Sequence, residues 1–112
     1  MDAPRKQKQT REALEKIAAD FRALSEPMRL AILQELKSGG ATVGELVEAL
    51  SASQPNISKH LKVLFDANFL GRKQEGNRVY YTIKDEMVLQ LCELVCNRLN
   101  RRARKAAPHY SI

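Results

Sequence analysis

The chain has 112 residues and a hydrophobic fraction of 44%, which suits one globular domain with a small core. No apolar run approaches the length of a bilayer span, so no membrane helix is expected, and the N-terminus MDAPRKQKQT lacks the apolar centre of a signal peptide. The net charge of +6 favours a polyanionic partner, and we expect a cytoplasmic protein whose two cysteines are thiols.

Three helices are predicted in the first half of the chain. A helical period that begins at Thr10 places five apolar residues on one face, namely Leu14, Ile17, Ala18, Phe21 and Leu24. Pro27 opens the second helix, because proline is tolerated in a first turn, and a glycine pair ends it. Thr42 and Glu45 have the spacing of a capping box, which predicts a short amphipathic helix over residues 43–50.

The stretch SQPNISKHLKVL, residues 53–64, predicts a fourth helix with two dissimilar faces. Ser53 has the position of an N-terminal cap, and Pro55 lies in the first turn. Lys59 and Lys62 lie on the polar face. The apolar face consists of Ile57, Leu61, Leu64 and Phe65. A three-residue turn separates this helix from the preceding one, which is the pattern of a helix-turn-helix.

A period of two then replaces the helical period. Residues 70–74 and 78–83 are predicted strands, and the Gly-Asn pair between them is a hairpin signal. Basic residues flank the tip, namely Arg72, Lys73 and Arg78. A basic hairpin after a helix-turn-helix is a wing, so the predicted fold is a mostly α-helical winged helix-turn-helix with a small β-hairpin.

The last predicted helix starts near Lys84 and Asp85 and runs past Leu99. Its apolar residues cover more than half of the helical circumference, and a small domain cannot bury so wide a face against its own core. We therefore expect a second copy of the chain to cover the remainder in a two-fold dimer. An unusually deep helix in a monomer is the alternative.

Positive charge is concentrated in one third of the chain. Between residues 53 and 84 there are six bases and two acids, which gives a local net charge of +4. Such a patch is typical of a surface that binds a polyanion. The predicted organisation is a flexible basic tail over residues 1–9, the winged helix-turn-helix domain over 10–100, and a basic C-terminal tail over 101–112.

Four segments are characteristic in their order and spacing: ALSEPMRLAIL (23–33), TVGELVEAL (42–50), SQPNISKHLKVL (53–64) and EGNRVYYTI (75–83). Together they resemble the ArsR/SmtB family of bacterial winged-helix repressors, over roughly residues 23–99. The resemblance implies a homodimer built on the first and last helices, bound to an operator that overlaps its own promoter. It also implies that an inducer, often a metal ion, releases the repressor from DNA.

Candidate DNA contacts cluster at the start of the fourth helix, because a recognition helix reads base edges through its N-terminal side chains. The amides of Gln54 and Asn56 have the donor and acceptor that pair with adenine. Further candidates for bases or phosphates are Ser53, Ser58, Lys59, His60, Lys62, Arg72, Lys73, Asn77, Arg78 and Tyr80. Helix capping is the alternative for Ser53, and internal packing is the alternative for His60 and Tyr80.

Neither metal site typical of the family is present in this sequence. A Val-Cys-x-Leu motif of the family corresponds here to VGEL, residues 43–46, and its Asp-x-His motif corresponds to DEM, residues 85–87. Arg98 and Arg101 stand where the later ligands of the second site would fall. Zinc sensing by either route is therefore not expected.

Cys92 and Cys96 are the remaining candidates for sensing. They are four residues apart and share one face of the last helix. Paired thiolates suit arsenite or a soft divalent metal, and thiols also form reversible oxidised adducts. Packing as small apolar residues at the dimer interface is the alternative.

Two other functional classes fit the sequence less well. A winged-helix module that binds protein would more often expose apolar anchors than the polar, basic surface of residues 53–84. An enzyme is the least favoured class, because the sequence shows no phosphate loop, no paired acid–base constellation and no Ser-His-Asp or Cys-His arrangement. The sequence therefore favours a dimeric repressor that binds double-stranded DNA at an inverted repeat, without membrane contact.

Overall fold

The computed structural model describes residues 8–103 and 109–112. Within these residues the chain forms α1 (Arg11–Leu24), α2 (Pro27–Leu36), α3 (Val43–Leu50), α4 (Gln54–Asp66), β1 (Leu70–Glu75), β2 (Arg78–Ile83) and α5 (Met87–Arg102). The two strands pair antiparallel in a single hairpin. The predicted fold class, helical with one small hairpin, is therefore confirmed. None of the helices in the described ranges is long and apolar enough to cross a membrane.

The helix-turn-helix begins with the predicted capping box. Thr42 Oγ1 accepts the N–H of Glu45 at 3.1 Å, and Glu45 Oε1 accepts the N–H of Thr42 at 3.0 Å. The backbone N–H of Thr42, and then its side-chain hydroxyl, stabilise the Glu45 carboxylate and hold the pKa of that carboxyl below its usual value. After α3, Ser51 adopts a left-handed conformation with φ of 50°, and residues 51–53 form the turn into α4. The predicted helix-turn-helix is thus confirmed.

One apolar core lies between the helices and the base of the hairpin. Its fully buried side chains are Ile32, Leu33, Leu46, Ile57, Leu61, Leu64, Leu70 and Val88. Burial of one such side chain stabilises the fold by about 1.5–3 kcal/mol. Three members come from α4, so the apolar face predicted for that helix is confirmed at Ile57, Leu61 and Leu64. Phe65, the fourth predicted member, is half-buried.

Two predicted boundaries differ from the structure. The first strand ends at Glu75 rather than one residue earlier, because Glu75 pairs with Arg78 across a tight turn in which Gly76 has φ of 64°. The last helix begins at Met87 rather than near Lys84 and Asp85. Asp85 Oδ1 instead accepts the N–H of Met87 at 3.0 Å, in a turn ahead of the helix.

The outer faces of α1 and α5 expose apolar side chains in the single chain. On α1 the exposed residues are Leu14, Ile17 and Phe21, and on α5 they are Met87, Leu94 and Val95. Leu94 is 65% exposed and Val95 is 56% exposed. The alternative of a helix buried deep in a monomer is therefore wrong for α5.

The predicted tails lie only partly within the described residues. Residues 1–7 and 104–108 fall outside them. Near the C-terminal end, the N–H of Tyr110 donates to Asn100 Oδ1 at 2.8 Å, and Asn100 Nδ2 donates to the carbonyl of Tyr110 at 3.0 Å. Lys37 Nζ donates to the carbonyl of Ile112 at 2.7 Å, so residues 110–112 contact both α5 and the end of α2.

Candidate nucleic-acid interface

The first two turns of α4 present polar side chains at the protein surface. Ser53 Oγ accepts the N–H of Asn56 at 3.3 Å, which confirms the capping role. Gln54 and Ser58 are exposed, and Asn56 is half-buried. On the helical projection Asn56 and Ser58 flank the buried stripe, and Gln54 lies one turn ahead of Ile57, where the start of the helix is exposed. The geometry therefore brings the predicted base-reading candidates together at one exposed helix start.

The predicted phosphate contacts on α4 are exposed lysines. Lys59 is exposed, and Lys62 Nζ lies 3.0 Å from Asp66 Oδ2 one turn along the same helix. The two side chains of this ion pair are 76% and 58% exposed. An exposed ion pair of this kind contributes about 0–1 kcal/mol to stability. The ammonium of Lys62 can therefore leave Asp66 and bind a phosphate at little cost in free energy.

The wing is basic and exposed, and it contacts α4. The guanidinium of Arg72 lies over the ring of Phe65, with 4.1 Å from Cζ to the ring centroid, which is a cation–π contact. Lys73 Nζ lies 3.3 Å from Glu75 Oε1, again between exposed side chains. Of the DNA contacts predicted on the wing, Arg72, Lys73, Asn77 and Arg78 are exposed, and Tyr80 is half-buried. Arg72 therefore connects the wing to the recognition helix as well as presenting a charge.

His60 does not belong to this exposed set. It is 5% exposed, and its Nδ1 lies 3.1 Å from Nη1 of Arg29. Its Nε2 lies 3.7 Å from Oε2 of Glu26. The internal-packing alternative is therefore the one the structure supports, and His60 is absent from the surface that faces outward from α4. Its neighbour Leu61 in the apolar stripe was the sequence signal for this burial.

Arg29 and Glu26, which contact the buried His60, are candidate functional residues that were not predicted from the sequence. Glu26 caps α2, where its Oε2 accepts the N–H of Arg29 at 3.1 Å. A cap residue followed three positions later by arginine gives no local sign that the arginine side chain will meet a histidine 31 residues away. The one sequence feature that bears on this contact is Leu61, whose place in the apolar stripe indicates that the adjacent His60 is buried.

Cys92 and Cys96 share one cavity. Cys92 is 6% exposed and Cys96 is half-buried, and both line a cavity of about 420 Å³ that is bounded by α1, α2, α5 and residues 110–112. The other walls are mainly apolar, with Phe21, Leu24, Leu30, Leu91, Val95 and Leu99. Burial, and then the neighbouring Cys96, raise the pKa of the Cys92 thiol. In residues 8–103 and 109–112, no group of three or more His, Cys, Asp or Glu side chains is placed to hold a metal ion.

A helix-turn-helix with an exposed polar second helix and a basic hairpin defines a winged-helix DNA-binding protein. Residues 24–70 match a family model described as a helix-turn-helix domain. The chain is 40% identical, over 88 residues, to the arsenical resistance operon repressor of Bacillus subtilis strain 168. The alignment covers 76% of this chain and 84% of that relative. It is 38% identical over 74 residues to a probable mercury resistance operon repressor of Streptomyces lividans, and there it covers 66% of this chain and 59% of the relative's length.

The fold has close structural neighbours as well. A homodimeric winged helix-turn-helix DNA-binding domain from Mycobacterium bovis, described as a possible ArsR-family transcriptional regulator, superposes with a TM-score of 0.76. The sequences are 28% identical, and the superposition covers 92% of this chain and 97% of that one. The chain belongs to the ArsR/SmtB family of winged helix-turn-helix transcriptional repressors, as its four sequence motifs predicted.

Proposed function

We propose that this chain represses transcription as a homodimer that binds an inverted-repeat operator in double-stranded DNA. The observation that carries the proposal is the exposed start of α4, where amide, hydroxyl and ammonium groups lie beside an exposed basic wing. Ile57, Leu61 and Leu64 of the same helix are fully buried, so the core fixes the orientation of its polar face. Relatives whose names describe operon repressors support the same function.

In the proposed complex the start of α4 enters the major groove. Gln54 and Asn56 read the edges of adenines there, because each amide offers one donor group and one acceptor. Lys59, Lys62 and the wing bind phosphates, which supply affinity without sequence information. The remaining contacts assigned to the interface are Ser53, Ser58, Arg72, Lys73, Asn77, Arg78 and Tyr80.

The exposed apolar faces of α1 and α5 form the proposed dimer interface. Phe21 is 61% exposed and Leu94 is 65% exposed. Burial of such apolar side chains against a second copy of the chain stabilises the dimer. A two-fold dimer places two copies of α4 on the same side of the DNA, with half-sites about 34–36 Å apart or a multiple of that. The homodimeric neighbour from Mycobacterium bovis supports this arrangement.

We also propose that Cys92 and Cys96 respond to a thiol-directed inducer. Both sulfur atoms line one cavity between α1 and α5, the two helices assigned to the dimer interface, so a ligand bound there acts on the arrangement of the two subunits. A soft metal ion that is satisfied by two thiolates fits this pair better than arsenite, which needs a third ligand from another group. An oxidant acting on the same thiols is the other member of this inducer class.

Fluorescence anisotropy of the reduced protein on its own upstream DNA tests both parts. We expect affinity to fall steeply with salt, with a slope of log K against log salt of about −0.9 for each phosphate neutralised. If the affinity for DNA does not change with salt, and the protein does not prefer its upstream DNA to other sequences, a protein-binding module is favoured instead. Mercuric ion, cadmium, arsenite and a mild oxidant are then added to the bound complex.

The matched control is the double variant Cys92→Ser/Cys96→Ser, which removes both cysteines of the chain. We expect at least one treatment to release DNA from the parent protein and not from the double variant. Equal retention of DNA by both proteins under every treatment would mean that the cysteines only pack against their neighbours.

A further inference from the structure

Arg29 connects the end of α1 to the recognition helix. Its Nε donates to the carbonyl of Ala23 at 2.6 Å, and its Nη2 donates to the carbonyl of Arg22 at 3.0 Å, both in the last turn of α1. Its third nitrogen, Nη1, lies 3.1 Å from Nδ1 of His60 on α4. One half-buried guanidinium therefore binds a helix of the proposed dimer interface and the helix proposed to enter DNA.

The contact between Arg29 and His60 determines which imidazole nitrogen carries the proton. A guanidinium has donors and no acceptor, so Nδ1 of His60 accepts the hydrogen bond and is unprotonated. The ring proton is then on Nε2, which points toward the Glu26 carboxylate at 3.7 Å. A proton on Nδ1 would face the N–H of Arg29 and would add a second positive charge beside the guanidinium.

We propose that the hydrogen bond from Arg29 to neutral His60 positions α4 for DNA, and that protonation of His60 breaks it and weakens DNA binding. The second half of this proposal rests on the proposed function, because its readout is the affinity for DNA. The first half concerns the folded protein alone and is measured without DNA.

The charged groups around His60 belong to α2 and its cap, which supply Arg29 and Glu26, and to α4, which supplies Lys59. Burial is the main influence that lowers the pKa of His60 below its ordinary 6.5, the carboxylate of Glu26 opposes it, and the charges of Lys59 and Arg29 reinforce it. His60 is therefore neutral at neutral pH, and it gains its proton only below the ordinary pKa of 6.5. Because Lys59 is the adjacent residue on α4, a displacement at His60 moves the DNA-binding side chains with it.

Nuclear magnetic resonance of the imidazole nitrogens tests the positioning contact directly. The chain has two histidines, and His109 is exposed, so it serves as an internal reference in the same spectra. At about pH 8 we expect His60 in the Nε2–H form, and on acidification we expect it to gain its proton below the ordinary pKa of 6.5. A proton on Nδ1 at that pH, or protonation of His60 at or above the ordinary pKa of 6.5, would overturn the proposal.

DNA affinity at about pH 8, and at the acid pH where the resonance titration finds His60 protonated, tests the consequence. In His60→Asn the side-chain oxygen replaces Nδ1 as an acceptor and does not titrate, and His109→Asn is the matched control. We expect acidification to weaken the parent and His109→Asn about tenfold more than it weakens His60→Asn. An equal change in all three proteins would overturn the pH-dependent half of the proposal.

The two failures are distinguishable. If the parent binds no DNA even at about pH 8, the proposed function is contradicted, while the tautomer of His60 still decides whether Arg29 positions α4. If His60→Asn does not fold, the resonance measurement on the parent protein remains decisive.

Discussion

The exposed side chains of α4 differ in what they offer to DNA. The amide of Gln54 offers a directional pair of donor and acceptor, and only a correctly placed base edge satisfies both. The ammonium of Lys62 offers charge, and its ion pair with Asp66 at 3.0 Å is exposed to water. The two residues should therefore contribute differently, Gln54 to specificity and Lys62 to affinity.

We expect Gln54→Ala to weaken binding to the operator by about 1–3 kcal/mol and to change binding to scrambled DNA little. Lys62→Ala should weaken both DNAs about equally and reduce the magnitude of the salt slope by about 1. Anisotropy titrations on the two DNAs measure both effects, with Gln34→Ala, an exposed glutamine on α2, as the control. Equal losses on both DNAs for Gln54→Ala would argue against base reading at that position.

Residue-level predictions from the sequence held where the helical period decides which way a side chain points. The period predicted that Lys59 and Lys62 lie opposite the buried stripe, and both are exposed. The contact between Arg29 and His60 could not be predicted in this way, because it joins residues 31 positions apart and depends on how α2 packs against α4. Chemistry that arises from packing carries no local sequence pattern.

At the scale of elements, short helices here depend on their caps. With eight residues, α3 is too short to be stable alone, and its start is fixed by the two reciprocal hydrogen bonds of Thr42 and Glu45. Because a three-residue turn joins α3 to α4, the cap also fixes where the recognition helix begins.

We expect Thr42→Ala to lower the free energy of unfolding by about 1 kcal/mol, because the N–H of Glu45 loses its acceptor. Urea unfolding measures the change as a lower midpoint with an unchanged slope. Ser38→Ala, at an exposed serine after α2, serves as the control and should leave the midpoint unchanged. A midpoint for Thr42→Ala equal to that of the parent would mean that the capping box contributes nothing to stability.

The wing shows a further element contact that the sequence did not reveal. The segment between α2 and α3 pairs with β2, because the N–H of Ala41 donates to the carbonyl of Tyr81 at 3.0 Å and the reverse bond is 2.8 Å. A Cβ on Gly40 would lie 3.0 Å from Thr82 Cγ2 and 3.2 Å from the carbonyl oxygen of Tyr81. The sequence predicted the glycine pair as a helix stop, whereas Gly40 also permits this close approach of β2.

At the scale of the whole molecule, charge and apolar surface lie on different elements. The segment between residues 53 and 84 has six bases against two acids, and it contains α4 and the hairpin. The exposed apolar side chains are concentrated on α1 and α5. The width of the apolar face on α5 predicted this division from the sequence, but the cavity beside Cys92 depends on residues 110–112, which no periodic pattern places.

The central claim is that two copies of α4, related by a two-fold axis, read one DNA site. Selection of bound duplexes from a random pool by the parent protein tests it most directly, with Leu94→Glu as a variant that places a charge in the proposed interface. We expect the parent to enrich an inverted repeat with half-sites about 34–36 Å apart, or a multiple of that, and Leu94→Glu to lose this enrichment. Enrichment of a single unrepeated site by both proteins, or of no common sequence by the parent, would contradict it.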